Sequence, residues 1–278
     1  MTRRWLRYTP LLLACAAWTQ PVGNAEPVRL WPNPSFKTGE TIRYKVHYGL
    51  INAAEATVET SGSLDRVADR PCYKATVSGH TTGSFDFFLH VRDQWRSYID
   101  TASILPLRST RDITEKGYHK KETVDFDHLH DVADVQIHDR EKPTRTPYKI
   151  PNNAQELVSG FYYLRTLHYD KMKPGDVIKM PGFFDESSFN LEVTFKGREV
   201  IETKAGTIRV LKLVPKMPAN KIFRGEDAIK VYLSDDRNKI PVLFQAELFV
   251  GAIKVDMYKY EGLKSRLNIV GAPNAAVT

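Results

Sequence analysis

The first place in this chain where chemistry could start is His128-Leu129-His130-Asp131, two imidazoles two residues apart. In a strand or turn that spacing sets both rings on one side. His119, His138 and Asp127 lie close in sequence. A metal centre needs a third and fourth ligand brought in by the fold, and this spacing fits no zinc motif. The plainer expectation is a solvated turn between Phe126 and Val135. The serines carry less. Ser159-Gly160 lacks the Gly-x-Ser-x-Gly elbow of a nucleophile, and Ser187-Ser188 simply follows two acids. Asp185-Glu186 and Asp235-Asp236 are adjacent carboxylates, which face opposite ways on a strand, so they read as turn residues rather than an acid/base pair. Gly160, Gly175, Gly182, Gly197 and Gly206 are isolated, and no phosphate-cradling loop is present. This reading assigns no catalytic residue, no metal ligand and no cofactor.

The aromatic residues are more informative. Among 13 Tyr, 13 Phe and 4 Trp, the residues Tyr44, Tyr48, Phe85, Phe87, Phe88, Trp95, Phe161, Tyr162, Tyr163, Phe183, Phe184, Phe189 and Phe195 could line a β concavity. They fill the core or leave an apolar groove for an acyl chain or a partner strand.

The elements that would position these residues are mostly strands. Ile42, Tyr44, Val46 and Tyr48 alternate with Thr41, Arg43, Lys45 and His47, the period of a strand with one buried face. The pattern returns at Ala54-Ala56-Val58, Tyr73-Ala75-Val77, Phe85-Phe87-Leu89-Val91, Trp95 to Ile99, Leu105 to Ile113 and His119 to Phe126. Beyond residue 176 it resumes at Leu191-Val193-Phe195, Ile208 to Val214, Ala228 to Ser234, Val242-Phe244-Ala246-Leu248 and Ile253-Val255-Met257. One segment has helical period: Leu157, Phe161, Leu164 and His168 share a face, and Asn153 with Glu156 has capping-box spacing. Gly160 within it would allow close packing on a sheet. The fold expected is all-β with one packed helix near 153–168, burying Leu157, Phe161 and Leu164. Its sheet should be antiparallel and curled, an open barrel or spiral.

The N-terminus reads as an export signal. Arg3, Arg4 and Arg7 precede the apolar run Leu11 to Trp18, and Gly23-Asn24-Ala25 offers small residues for cleavage between Ala25 and Glu26. Leu12-Leu13-Ala14-Cys15 also looks like a lipobox, so lipidation at Cys15 is the alternative. The expected organisation is a signal at 1–25, a leader at 26–35, a single β-rich domain at 36–265 and a loose tail at 266–278. The mature chain is expected to be periplasmic or secreted, with a membrane-anchored lipoprotein as the alternative. Cleavage removes three arginines and no acid, lowering the formal charge from +7 by three. The remaining excess is spread among acids and no nucleic-acid motif occurs, so nucleic acid is not expected as a partner. Cys72 becomes the sole thiol of the processed chain and is expected to be buried and inert.

A family resemblance rests on Phe36-Lys37-Thr38-Gly39-Glu40-Thr41-Ile42-Arg43-Tyr44, Thr82-Gly83, Val91-Arg92-Asp93 and Val124-Asp125-Phe126-Asp127. It continues through Ser159-Gly160-Phe161-Tyr162-Tyr163-Leu164-Arg165, Lys173-Pro174-Gly175-Asp176, Gly197-Arg198-Glu199, and Val231 to Asp236 running on to Ile240-Pro241. Across about 36–260 the chain resembles the bacterial exported family catalogued as domain of unknown function 3108, departing from it at Ala53-Ala54. The resemblance implies an exported, β-rich protein and supplies no catalytic residues. The function expected is a non-catalytic envelope module that binds a lipid-like or polymeric ligand or a partner protein. It should be a monomer with no transmembrane segment in the mature chain. The alternative is a hydrolase of envelope glycan or lipid with His128 and His130 near its site.

Overall fold

The computed structural model describes residues 28–138, 144–216, 224–225 and 227–271. The signal, the Ala25/Glu26 junction and Cys15 lie outside the described residues. The strands of the first half are β1 (Thr41–Tyr48), β2 (Ile51–Thr60), β3 (Asp65–Val67), β4 (Arg70–Thr81), β5 (Val91–Asp100), β6 (Pro106–Glu115), β7 (Tyr118–Asp127), β8 (Val132–Ile137) and β9 (Thr144–Lys149). Those of the second half are β10 (Val177–Phe184), β11 (Ser187–Thr203), β12 (Gly206–Pro215), β13 (Ile229–Ser234), β14 (Pro241–Glu247), β15 (Ala252–Glu261) and β16 (Ile269–Gly271). Two helices interrupt them, α1 (Gly83–Leu89) and α2 (Leu157–Thr166).

All the strands join one antiparallel sheet, ordered β10-β11-β12-β13-β14-β15-β1-β2-β4-β5-β6-β7-β8-β9, with β3 beside β4 and β16 beside β12. Two meanders, β1–β9 and β10–β15, are thus welded where β1 pairs with β15. Local alternation explains most of the strands: in β8, Ala133, Val135 and Ile137 are buried and their neighbours are not. In β2 the register slips between Val46↔Ala54 and His47↔Asn52, a bulge at Ala53.

The sheet curls without closing. Its edge strands β9 and β10 share no ladder, yet the two ends meet. Tyr148 Oη donates to Glu186 Oε2 at 2.9 Å, and Ser188 Oγ donates to the Lys149 carbonyl at 3.3 Å. Between them runs the segment leading to α2, with Gln155 as a parallel bridge to Gly182. The expected class, an all-β curled antiparallel sheet with a packed helix, is the one observed.

Two local expectations are corrected. Residues 85–89 form helix α1, not a strand. Thr82 precedes Gly83, whose φ is +57°, and Asp86 takes hydrogen bonds from Thr81 and Arg92. None of α1's residues is buried. Helix α2 begins at Leu157, because the Gln155 backbone is already bonded to Pro181 and Phe183 of β10. Its N-cap is Glu156 rather than Asn153. The Glu156 carboxylate accepts from the backbone N–H groups of Val158 (2.9 Å) and Ser159 (2.6 Å), and Ser159 Oγ accepts from the Glu156 N–H.

The buried face of α2 also differs from the expected one. Val158, Tyr162 and Arg165 are buried, whereas Leu157 is 39% exposed and Phe161 only partly covered; Leu164 is buried as expected. Val158 and Tyr162 pack with Phe36, Ala75, Ile99 and Ile104. Arg165 forks onto Glu40 at 2.6 and 2.8 Å and donates from Nε to the Asn238 carbonyl at 3.0 Å. Tyr44 Oη donates to the Pro241 carbonyl at 2.8 Å. Three of the resemblance motifs, those holding Glu40 and Tyr44, Arg165, and Pro241, therefore converge around one guanidinium. The described parts of the leader and tail, residues 28–35 and 266–271, pack onto the sheet and α2. Ser35 is buried and donates to the Arg165 carbonyl, Trp31 Nε1 donates to Thr166, Leu267 is buried, and residues 269–271 form β16.

Candidate functional site

A groove of about 810 Å³ lies between α2 and the strands of the second half. Its floor is a cross-strand row, Leu213 opposite Val231 and Val231 opposite Phe244. One wall is the α2 face that carries Leu157, Gly160, Phe161 and Leu164. The other is the β10–β11 hairpin, where Met180 stands opposite Leu191 and Phe189 covers Gly182. Phe161 meets Phe244 edge-on at 5.2 Å. A Cβ on Gly160 would lie 2.9 Å from the Met180 Cε, so the glycine leaves room for the end of that side chain between α2 and β10. Polar groups line the groove sparingly, at Gln155, Glu156, Asn190, Glu192 and Lys216. Burial pushes the Glu156 carboxyl above the usual range, against hydrogen bonds from the Ser159 and Val158 N–H groups that favour its charge.

The apolar stripe of α2 read from the sequence is thus chiefly a groove wall. Of the aromatic residues singled out there, Phe161, Phe184 and Phe189 line the groove, while Tyr44, Tyr162, Phe183 and Phe195 are buried in the core. Leu213, Val231 and Phe244 were legible as strand residues but not as a floor, because only the pairing of β12, β13 and β14 aligns them.

The β10–β11 hairpin is tethered by a charged cluster. Arg111 and Glu122 are directly opposite on β6 and β7, both buried, and pair at 2.7 Å. Arg111 and Lys120 also reach Asp185 at 3.1 and 2.8 Å. The guanidinium lies over Phe184 at 4.6 Å, and Phe184 stacks on Trp95 at 5.7 Å. Asp185 and Glu186 sit in a turn at positive φ, each held by a partner, and Asp236 accepts the Asn238 N–H in a turn of its own.

The histidine pair is not brought to a common centre. His128 is buried, its Nε2 bonded to the Pro106 carbonyl at 2.8 Å and its ring stacked on Phe126. Burial pushes its pKa down. His130 is exposed and pairs with Asp127 at 2.6 Å. Ser159 Oγ is buried within the α2 cap. Among the described residues no cluster of three or more His, Cys, Asp or Glu side chains is placed to hold a metal ion, and no helix is long and apolar enough to cross a membrane.

Fold and groove together define a β-rich protein, a curled sheet that does not close, with an apolar cleft. Residues 43–258 match the family described as protein of unknown function DUF3108, and the chain belongs to that family. No curated protein matches the chain. Among solved structures, the chain is similar to a β-barrel-like protein of the domain of unknown function DUF1849 from Brucella abortus. The TM-score is 0.52 at 8% identity, over 82% of this chain and 99% of that one. It also matches a predicted exported protein with a YmcC-like fold from Bacteroides fragilis. There the TM-score is 0.32 at 12% identity, over 85% of this chain and 100% of that one. The first likeness supports the fold.

Proposed function

We propose that this protein is a non-catalytic envelope module that holds a lipid-like ligand, with its acyl chain in the groove between α2 and β10–β14. One observation carries the reading: Leu157 and Phe161 are left uncovered over an apolar cleft that Leu164, Leu213, Val231 and Phe244 also line, instead of being sealed in the core. The volume falls within the range of about 300–1,000 Å³ usual for small-molecule sites. Each methylene that leaves water contributes about 0.8 kcal/mol, so a chain of modest length supplies substantial affinity. The export pattern at residues 1–25 supports a periplasmic or secreted address, with lipidation at Cys15 as the other processing route.

The test is binding of a fluorescent fatty acid to the exported chain, alongside native mass spectrometry of protein taken from the envelope. Saturable binding, displaced by unlabelled fatty acid and weakened by Leu157→Asp, is the expected result. Leu157 is partly exposed, so this variant keeps its fold. No binding, or binding unchanged by the substitution, overturns the reading.

A further inference from the structure

The end of the sheet that carries the turns β1–β2 and β14–β15 is unusually apolar. Tyr48 of β1 stands opposite both Ile51 and Ile253, and Ala54 stands opposite Thr81, so these two turns and α1 lie side by side on one rim. Their tips present Leu50, Phe87, Phe88, Phe249 and Val250, with exposures from 62% to 102%. Leu89 of α1 and Ile51 extend the patch. Tyr48 ties the turns together, donating its hydroxyl to the Val250 carbonyl at 2.9 Å and meeting Phe85 edge-on. Isolated exposed apolar residues are ordinary, but a cluster gathered on adjacent tips marks an interaction surface.

The charges around the tips narrow the partner. Asp86 within the patch is neutralised by Arg92 at 2.6 Å, and Glu247 at the end of β14 by Lys230 at 2.5 Å. Exposed cations flank it: Lys116, whose N–H bonds the His90 carbonyl at the end of α1, and Arg224, whose N–H bonds the Glu247 carbonyl. Tyr118 beside Lys116 is 56% exposed. Protruding aromatic and aliphatic tips, a flanking tyrosine and outer cations are the chemistry that a bilayer with anionic headgroups accepts.

We propose that this rim docks the protein on the surface of an anionic phospholipid bilayer, with Leu50, Phe87, Phe88, Phe249 and Val250 entering the headgroup region and Lys116 and Arg224 meeting phosphates. The groove extends toward the same end: its lining residues Lys216 and Ile229 lie just past β12 and at the start of β13, and Ile229 stands opposite Ala246, one residue before the end of β14. A docked rim therefore sets the groove beside the membrane. The docking surface itself does not depend on what the groove holds.

The test is co-sedimentation of the exported chain with vesicles of phosphatidylethanolamine and phosphatidylglycerol, compared with phosphatidylcholine alone. Binding is expected to the first set, to weaken with added salt, and to fall at least about tenfold in the variant Phe87→Ser/Phe88→Ser/Phe249→Ser. That variant should melt at the wild-type temperature, since all three side chains are exposed. It retains any N-terminal acyl group, so the difference reports the rim alone. In Phe249→Trp, tryptophan fluorescence should shift to the blue on vesicles and be quenched by brominated lipid. No vesicle binding by the wild type, equal binding by the triple variant, or a wild-type dimer that the same substitutions dissociate would overturn the proposal. Fatty-acid binding measured without vesicles separates failure of the rim from failure of the groove.

Discussion

Arg165 and Glu40 are joined by two hydrogen bonds, at 2.6 and 2.8 Å, although 125 residues separate them in the chain. Both side chains are almost wholly buried, and the guanidinium also lies over the rings of Phe36 and Tyr162. The pair links the entry to β1 with the last turn of α2, and through Asn238 with the turn before β14. Removing one partner strands a buried charge. Glu40→Gln should therefore cost about 3–5 kcal/mol in urea unfolding, and Glu40→Gln with Arg165→Met should cost less than the two changes summed.

Two leucines of α2 should respond differently to the same change. Leu164 is buried, and Leu164→Asp should lower stability by several kcal/mol, roughly the cost of an unpaired charge in the core. Leu157→Asp should change the unfolding midpoint little and act on ligand binding instead. Equal destabilisation by both would mean that the groove wall is core.

Gly262 has a φ of +69°, and a Cβ there would stand 2.0 Å from the Gly39 carbonyl oxygen. Backbone on both sides leaves nothing flexible to yield. Gly262→Ala should cost more than about 2 kcal/mol by chemical denaturation. Gly160→Ala should cost far less, because the obstructing atom is the end of a methionine side chain.

Asp93 has its carboxyl raised to about 6, by burial first and then by the nearby Glu115. Its folded pKa exceeds its unfolded one, so the folded state holds the extra proton between them. The penalty is absent below about pH 4, grows as pH rises, and is complete above about pH 6. Asp93→Asn should stabilise the protein at pH 7.5 by on the order of 1 kcal/mol after allowance for solvent screening, and make no difference near pH 4. Thermal melts at the two pH values decide it.

Cys72 is buried, and its thiol is raised to about 11 by burial, then by Asp65 and Asp100. In the native chain it should resist thiol reagents at pH 8 and react fully in urea. Rapid native labelling would contradict this.

Strands were legible from sequence because alternation is local: one face of β1 or β8 is apolar whatever its neighbours are. The failures lie where distant parts choose. Phe85, Phe87 and Leu89 have strand spacing, yet Gly83 turns the chain and the Asp86 bonds to Thr81 and Arg92 stabilise a helical turn. The apolar stripe of α2 was visible, but not that it would wall a groove. Arg165 shares the buried face with Val158 and Tyr162, which is tolerable only because Glu40 neutralises it. Arg111, Glu122 and Asp185 could be read as charged strand and turn residues, while the curl of the sheet alone made them a clasp. The sequence by itself determined periodicity, the export pattern and the family motifs. Tertiary structure decided which apolar faces were covered, because covering a face takes partners far off in the chain.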